Sequence, residues 1–218
     1  ALLLREFFGR RGVEAVVEVF TPQPMSLPVL RQAGCSIVES RLEASQVEFH
    51  PNHTPLSIEP GGVRFKTGRV AFDLLIGIPA HLCPAIARDS GLAGDGDWVT
   101  PDPRTLETSF PGVYALGDMV SIPLANGKRL PQAGVFAEAQ AKVVAARIAA
   151  RLAGHTPYAT YDGTGFCFLE VGGGSAMLVQ GNFLAAPEPT VQILEPAPEH
   201  LQAKHELERS RLAEWFGG

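Results

Sequence analysis

The sequence predicts an α/β protein. Apolar runs of strand length, Val13–Phe20 (VEAVVEVF), Val70–Ile78 (VAFDLLIGI) and Val113–Leu116 (VYAL), alternate with longer stretches of helical period. The longest of these, AEAQAKVVAARIAARLAG, repeats Ala, Val and Ile on one face, with Lys142, Arg147 and Arg151 interspersed. A chain of 218 residues, 45% hydrophobic and 19% charged, can bury a sizeable core and shows no long disordered tail.

The elements follow in order. Leu2, Leu3, Phe7 and Phe8 form the apolar face of a helix that ends near Gly9 or Gly12. Val13–Phe20 is a strand, left through Thr21-Pro22-Gln23-Pro24. A helix near Leu30–Ala44 turns Leu30, Ile37 and Leu42 inward. Short strands at Val47–Phe49, Leu56–Ile58 and Val63–Phe65 are separated by turns at Pro51-Asn52-His53 and Pro60-Gly61-Gly62, the pattern of a β-meander. Val70–Ile78 reads as a buried strand and Pro79–Pro84 as a loop. Ser90-Gly91-Leu92, Trp98-Val99 and Thr105-Leu106 lead from there to the most informative run of the chain.

That run is Thr108–Asp118, TSFPGVYALGD. Val113–Leu116 has the form of a buried parallel strand. Gly117 lets backbone approach a ligand, and Asp118 places a carboxylate where open α/β sheets bind one. Then comes Leu130-Pro131-Gln132-Ala133-Gly134-Val135-Phe136, leading into the long helix. Pro131 suits a first helical turn, and Gly154 a stop. A helix starting there offers unpaired N–H groups and the positive end of its dipole.

The two runs together resemble the second flavin-contacting motif of the FAD-dependent pyridine nucleotide-disulfide oxidoreductases. The resemblance implies that Asp118 accepts a hydrogen bond from the ribityl chain of FAD. It also implies that the helix start at Gln132, Ala133 and Gly134, next to Gly117, faces the pyrimidine side of the flavin. The order DLLIGIPAH, SGL, WVTPDPRTLET, PGVYALGD, LPQAGVFAEAQ and a later cysteine resembles the sulfide:quinone oxidoreductase and flavocytochrome sulfide dehydrogenase branch. Type II NADH dehydrogenases are its cousins. The implied fold is FAD/NAD(P)-binding Rossmann-like. Residues 1–71 correspond to a remnant of the NAD(P)-binding-like domain, 72–155 to the second half of the FAD-binding domain, and 156–218 to a C-terminal α+β region. The helix before the first strand, and the lack of a GxGxxG turn, lead to the expectation of a C-terminal portion of a longer flavoprotein. In isolation that portion is expected to be inactive.

Cys167 lies in Tyr161–Cys167 (YDGTGFC). The resemblance implies one half of a redox cysteine pair, with the partner upstream; as a thiolate it would handle sulfide-derived sulfur and pass electrons to the flavin. The alternative is a small buried hydrophobe, the common fate of a lone cysteine. Phe168 follows it, where many sulfide oxidases carry proline. Cys35 reads as structural, and Cys83, in the loop that the resemblance places near the flavin, as packing. The three cysteines make no disulfide framework. His50 and His53 are three apart in a Pro-Asn turn with no third ligand evident, so no metal is expected. His81 reads as a structural hydrogen-bonding residue, with proton transfer toward quinone as the alternative.

Glu199–Phe216 is an amphipathic helix, with Lys204 and Glu208 spaced to pair. Its mixed charges favour packing on the protein over dipping into a membrane surface. The net charge of −5 argues against nonspecific nucleic-acid binding. No apolar run approaches the roughly 20 residues of a spanning helix. By resemblance the electron donor is sulfide or NAD(P)H and the acceptor quinone or another small molecule. The expected setting is the cytoplasm, with a peripheral membrane contact and a homo-oligomer left open. A non-catalytic module that retains the fold is the remaining alternative.

Overall fold

Parallel strands need a crossover connection, and the first half of the chain supplies one. In the computed structural model, β1 (Val17–Phe20) pairs in parallel with β2 (Val47–His50), in the register Val17↔Val47 to Phe20↔His50. The intervening helix is α2 (Arg31–Ala44), and α1 (Leu2–Arg10) precedes β1. The structure describes residues 1–28, 31–94 and 96–217, and within α2 it leaves out the side chains of residues 31 and 33. Leu30, expected to face inward, lies outside the described residues.

β1 is half the length the apolar run suggests. Val13 and Val16 lie outside the ladder, and Val16 is 76% exposed. In α2 the inward stripe is Cys35, Val38 and Leu42, not Ile37. The spacing of three and four residues puts those three on one face, and Ile37 points away from it. Cys35 is fully buried, with its thiol 3.1 Å from the carbonyl of Leu27, as expected for a structural residue. In α1 only Leu2 and Phe8 join the core; Leu3 and Phe7 are exposed, and Arg11 covers the Phe7 ring at 4.0 Å.

A meander forms, but with one strand exchanged: Val47–Phe49 belongs to the parallel β1–β2 pair, and the antiparallel strands are β3 (Ser57–Glu59), β4 (Gly62–Phe65) and β5 (Gly68–Ala71). The long strand expected at Val70–Ile78 does not. Pairing stops at Ala71; Leu74, Ile76 and Ile78 follow without a ladder partner among the described residues, and Ile78 is 85% exposed. An apolar run becomes a strand only where a neighbour takes up its N–H and C=O groups.

α3 (Ala85–Asp89) and α4 (Gly134–Leu152) follow. A third sheet, the β part of the expected C-terminal α+β region, has the order β6 (Thr164–Gly172), β7 (Ser175–Asn182), β8 (Thr190–Ala197). Its buried residues are Gly165 and Val171 of β6 and Ala176, Met177 and Val179 of β7. The last element, α5 (Pro198–Phe216), buries no residue. Lys204 does not pair with Glu208; it reaches Glu170 of β6, and His200 lies 3.1 Å from the carbonyl of Ala176 in β7. Packing on the sheet thus overrides the intrahelical pair. Among the described residues no helix is long and apolar enough to cross a membrane.

The chain forms two compact units. One holds residues 1–78, 168–179 and 193–218; the other holds 79–167 and 180–192. The first has a core of Leu2, Val17, Leu42, Val47, Val171 and Met177, flanked by Phe8, Val19, Phe49, Leu169 and Ile193. Met177 is 1% exposed. Met177→Ala is expected to lower unfolding stability by about 2–4 kcal/mol, as cavity formation at a closed core site does. A urea transition shifted by less than a quarter of that would show that the core collapses around the deletion.

Candidate functional site

The second unit brings the two motif runs together. Val113–Leu116 is not the expected parallel strand. It forms the return arm of a narrow antiparallel hairpin, in which Thr108 donates to Val113 (2.8 Å), Ala115 donates to Leu106 (3.0 Å), and Glu107 bridges Tyr114. Among the described residues one neighbouring segment supplies ladder partners, and Val113 is exposed. The Glu107 carboxylate accepts from the Gly112 N–H at 2.7 Å and from Arg151 of α4 at 3.0 Å. The Gly112 hydrogen bond, with Arg151 beside it, holds the Glu107 carboxyl below its ordinary value.

Gly117–Met119 is a single 3₁₀ turn. Gly117 has φ +71°, a conformation that an L side chain resists. A Cβ there would also lie 3.4 Å from Ala137 of α4. The Gly117 N–H donates to the Gln140 side-chain oxygen at 2.8 Å, and Gln140 is 1% exposed. The Asp118 carbonyl accepts from the Gln132 amide at 2.6 Å. Two glutamines thus tie the turn to the start of α4. The Asp118 carboxylate is exposed and has no partner among the described residues.

α4 begins at Gly134, with Ala133 as its cap and no side chain capping it. Pro131 therefore lies ahead of the helix, not in its first turn. Phe136 and Ala137 donate to the carbonyl of Ala133, at 3.0 and 3.1 Å. The N–H groups of Gly134 and Val135 have no acceptor among the described residues, and the space beside Gly134 is open. Gly117, Asp118, Gln132, Ala133, Phe136 and Gln140 are among the residues lining a hollow between the turn and the helix start. An adjoining groove of about 250 Å³ is lined by Trp98, Ser121, Arg129 and Pro131. His81 stands 3.4 Å from the Gln132 side-chain oxygen, and the buried Cys83 thiol 3.9 Å from the carbonyl of Met119.

Cys167 is exposed and outside any disulfide, which rules out the reading of a buried packing residue. It sits on β6 two residues after Gly165, hence on the same strand face. A Cβ on Gly165 would lie 1.9 Å from the Phe136 ring, so at Gly165 the strand lies directly against the first turn of α4, whereas Cys167 beyond it is open. Phe136 is held in turn by Phe183, edge-on at 4.9 Å.

Sequence reasoning missed Gln140 and Arg147. Both lie on the buried face of α4 with Phe136 and Val144. Arg147, read only as one of the charges interspersed along the helix, is 9% exposed and donates to the carbonyls of Pro157 and Ala159, at 3.4 and 2.9 Å. The available signal was a polar side chain at a core-facing position of a helical repeat, four and eleven residues after Phe136.

The fold is the FAD/NAD(P)-binding Rossmann-like one of the pyridine nucleotide-disulfide oxidoreductases. No protein-family model matches the chain. The chain is similar to the sulfide:quinone oxidoreductase of the hyperthermophilic bacterium Aquifex aeolicus, with TM-score 0.79 and 17% identity, over 96% of this chain and 52% of that one. It is similar to a chain of the Tetrahymena thermophila mitochondrial ATP synthase, with TM-score 0.65 and 18% identity, over 82% and 44% of the two chains. It is similar also to an FAD-dependent pyridine nucleotide-disulphide oxidoreductase from Desulfovibrio vulgaris, with TM-score 0.56 and 22% identity, over 78% and 43%. The chain spans about half the length of these structures.

The hollow itself has room for about one water, about 10 Å³, and the groups at its rim are of a kind that suits the edge of a flavin. An unpartnered carboxylate suits a polyol hydroxyl, and an uncapped helix start with two open N–H groups suits an electron-rich ring edge. Replacing Gln140 by Leu would leave the Gly117 N–H without its acceptor. This is expected to cost about 1–3 kcal/mol, read from chemical denaturation; an unchanged midpoint would show that the turn finds another partner. Because folding lowers the Glu107 pKa, its contribution to stability is full above the unfolded value. That contribution is lost as pH falls through the folded value. The stability gap between the wild type and Glu107→Gln should therefore close on acidification below that range. A gap constant from pH ~7 to ~3 would contradict this assignment.

Proposed function

We propose that this chain is part of an FAD-dependent oxidoreductase of the sulfide:quinone oxidoreductase type. The observation that carries the reading is the open start of α4 facing the unpartnered Asp118 carboxylate across the Gly117 turn. In this reading Asp118 accepts a hydrogen bond from the polyol chain of FAD. The N–H groups of Gly134 and Val135, with Gln132 and Ala133 shaping the approach, stabilise negative charge at the pyrimidine end of the ring. FAD, when bound, supplies two-electron chemistry that side chains lack. Phe136 and Ile122, both buried, keep water from the floor of the hollow.

Cys167 is the sulfur-handling residue. Its exposure leaves a thiolate accessible to sulfide-derived sulfur, and Gly165 keeps its strand against α4. The donor is sulfide and the acceptor a quinone. A second reading, a non-catalytic module that retains the fold, is supported by the similarity to a chain of a mitochondrial ATP synthase.

The test is the anaerobic visible spectrum of the full-length protein that carries this chain, with sulfide and NADH added separately. Bleaching by sulfide, reduced at least a hundredfold in rate by Cys167→Ser while bound flavin is retained, is the expected result. Bleaching by NADH alone, untouched by Cys167→Ser, would move the protein to the type II NADH:quinone oxidoreductases. A protein without flavin would leave the non-catalytic module.

A further inference from the structure

A second constellation lies on the parallel β1–β2 ladder, in the other unit. Glu18 and Glu48 are register partners, so two carboxylates oppose each other on adjacent strands. Like charges directly opposed across a ladder destabilise it. Among the described residues neither carboxylate has a Lys or Arg partner. Their common neighbour is His50, whose Nε2 is 3.1 Å from Glu18 Oε1 and 3.6 Å from Glu48 Oε2. One ligand atom from each of the three residues lies within 4.8 Å of the others.

The imidazole is also held from behind. It stacks on Phe20 at 4.4 Å and 12°, and Phe20 stacks on Phe65 at 4.9 Å. His53 packs edge-on against His50 at 5.7 Å, and its own Nδ1 is 2.8 Å from the carbonyl of Pro51. His53 is therefore a support for the His50 ring and is not one of the three clustered donors. The ring that matters is held by aromatic packing, and all three donors rise from rigid strands, not from loops.

We propose that Glu18, Glu48 and His50 bind one divalent transition-metal ion of the zinc class. Two carboxylate oxygens and one imidazole nitrogen form a three-ligand set that such ions accept with water completing the shell. Calcium and magnesium prefer all-oxygen sets. The ion would cancel the opposed charges and clamp β1 to β2. This inference does not depend on the flavin reading, and its test reads neither flavin nor turnover.

The test uses the full chain, stripped with chelator and titrated with zinc by calorimetry and with cobalt by visible absorption. One ion per chain is expected, with cobalt bands free of sulfur charge transfer and a zinc-dependent rise in Tm. Glu48→Gln and His50→Ala should each weaken binding at least tenfold and abolish the rise, whereas Glu14→Gln, a surface acid of the same unit, should not. Circular dichroism of the variants checks folding, and Glu48, 62% exposed, is the substitution least able to disturb it. Stoichiometric binding that survives both variants, binding lost only in Cys167→Ser, or no binding at one equivalent would each overturn the proposal.

Discussion

The hydrogen bond from the Gly117 N–H to the Gln140 side chain is the constraint around which the candidate site is arranged. A buried amide must have its partner, because the cost of leaving it unpaired exceeds the net gain of making the bond. Gln140 therefore holds the 3₁₀ turn at a set height on α4. The neighbouring bond, Gln132 to the Asp118 carbonyl, sets the turn's rotation. With the backbone of Asp118 engaged, its carboxylate is left for solvent or a ligand. The uncapped start of α4 follows from the same arrangement, since Ala133 supplies no side-chain oxygen and Gln132 is occupied elsewhere.

The other unit works by a different balance. Its core is apolar and continuous from Leu2 to Met177, whereas the β1–β2 ladder carries opposed glutamates at its surface. His50 lies within reach of both carboxylates, and in the proposed site the ion would offset their repulsion. The aromatic group of Phe20, Phe65 and His53 fixes where that imidazole sits.

Legibility differed by element for identifiable reasons. The long helix was readable because 19 residues of one period leave no competing interpretation, and its Gly154 stop falls just past the cap. Two strands of the meander were readable because turn residues bound them, whereas Val47–Phe49, the third strand expected of it, pairs instead with β1. Val70–Ile78 and Val113–Leu116 were misread in the same way: apolar content reports the wish for burial, whereas strand formation depends on partners elsewhere in the chain. Ile37 was misplaced because one apolar residue can belong to either of two adjacent helical faces until a neighbour packs on one.

By itself the sequence determined the α/β class, the turn at Gly117-Asp118 and the helix that follows it, since local glycine freedom and helical period depend on near neighbours alone. It also determined that a cysteine, Cys167, would follow that helix. The tertiary structure decided that Gln140 and Arg147 face inward, that Cys167 is exposed on the strand face that carries Gly165, and that Glu18 meets Glu48 and His50. Those are pairings between residues distant in the chain. Their energies depend on which surfaces meet, and no local pattern encodes that.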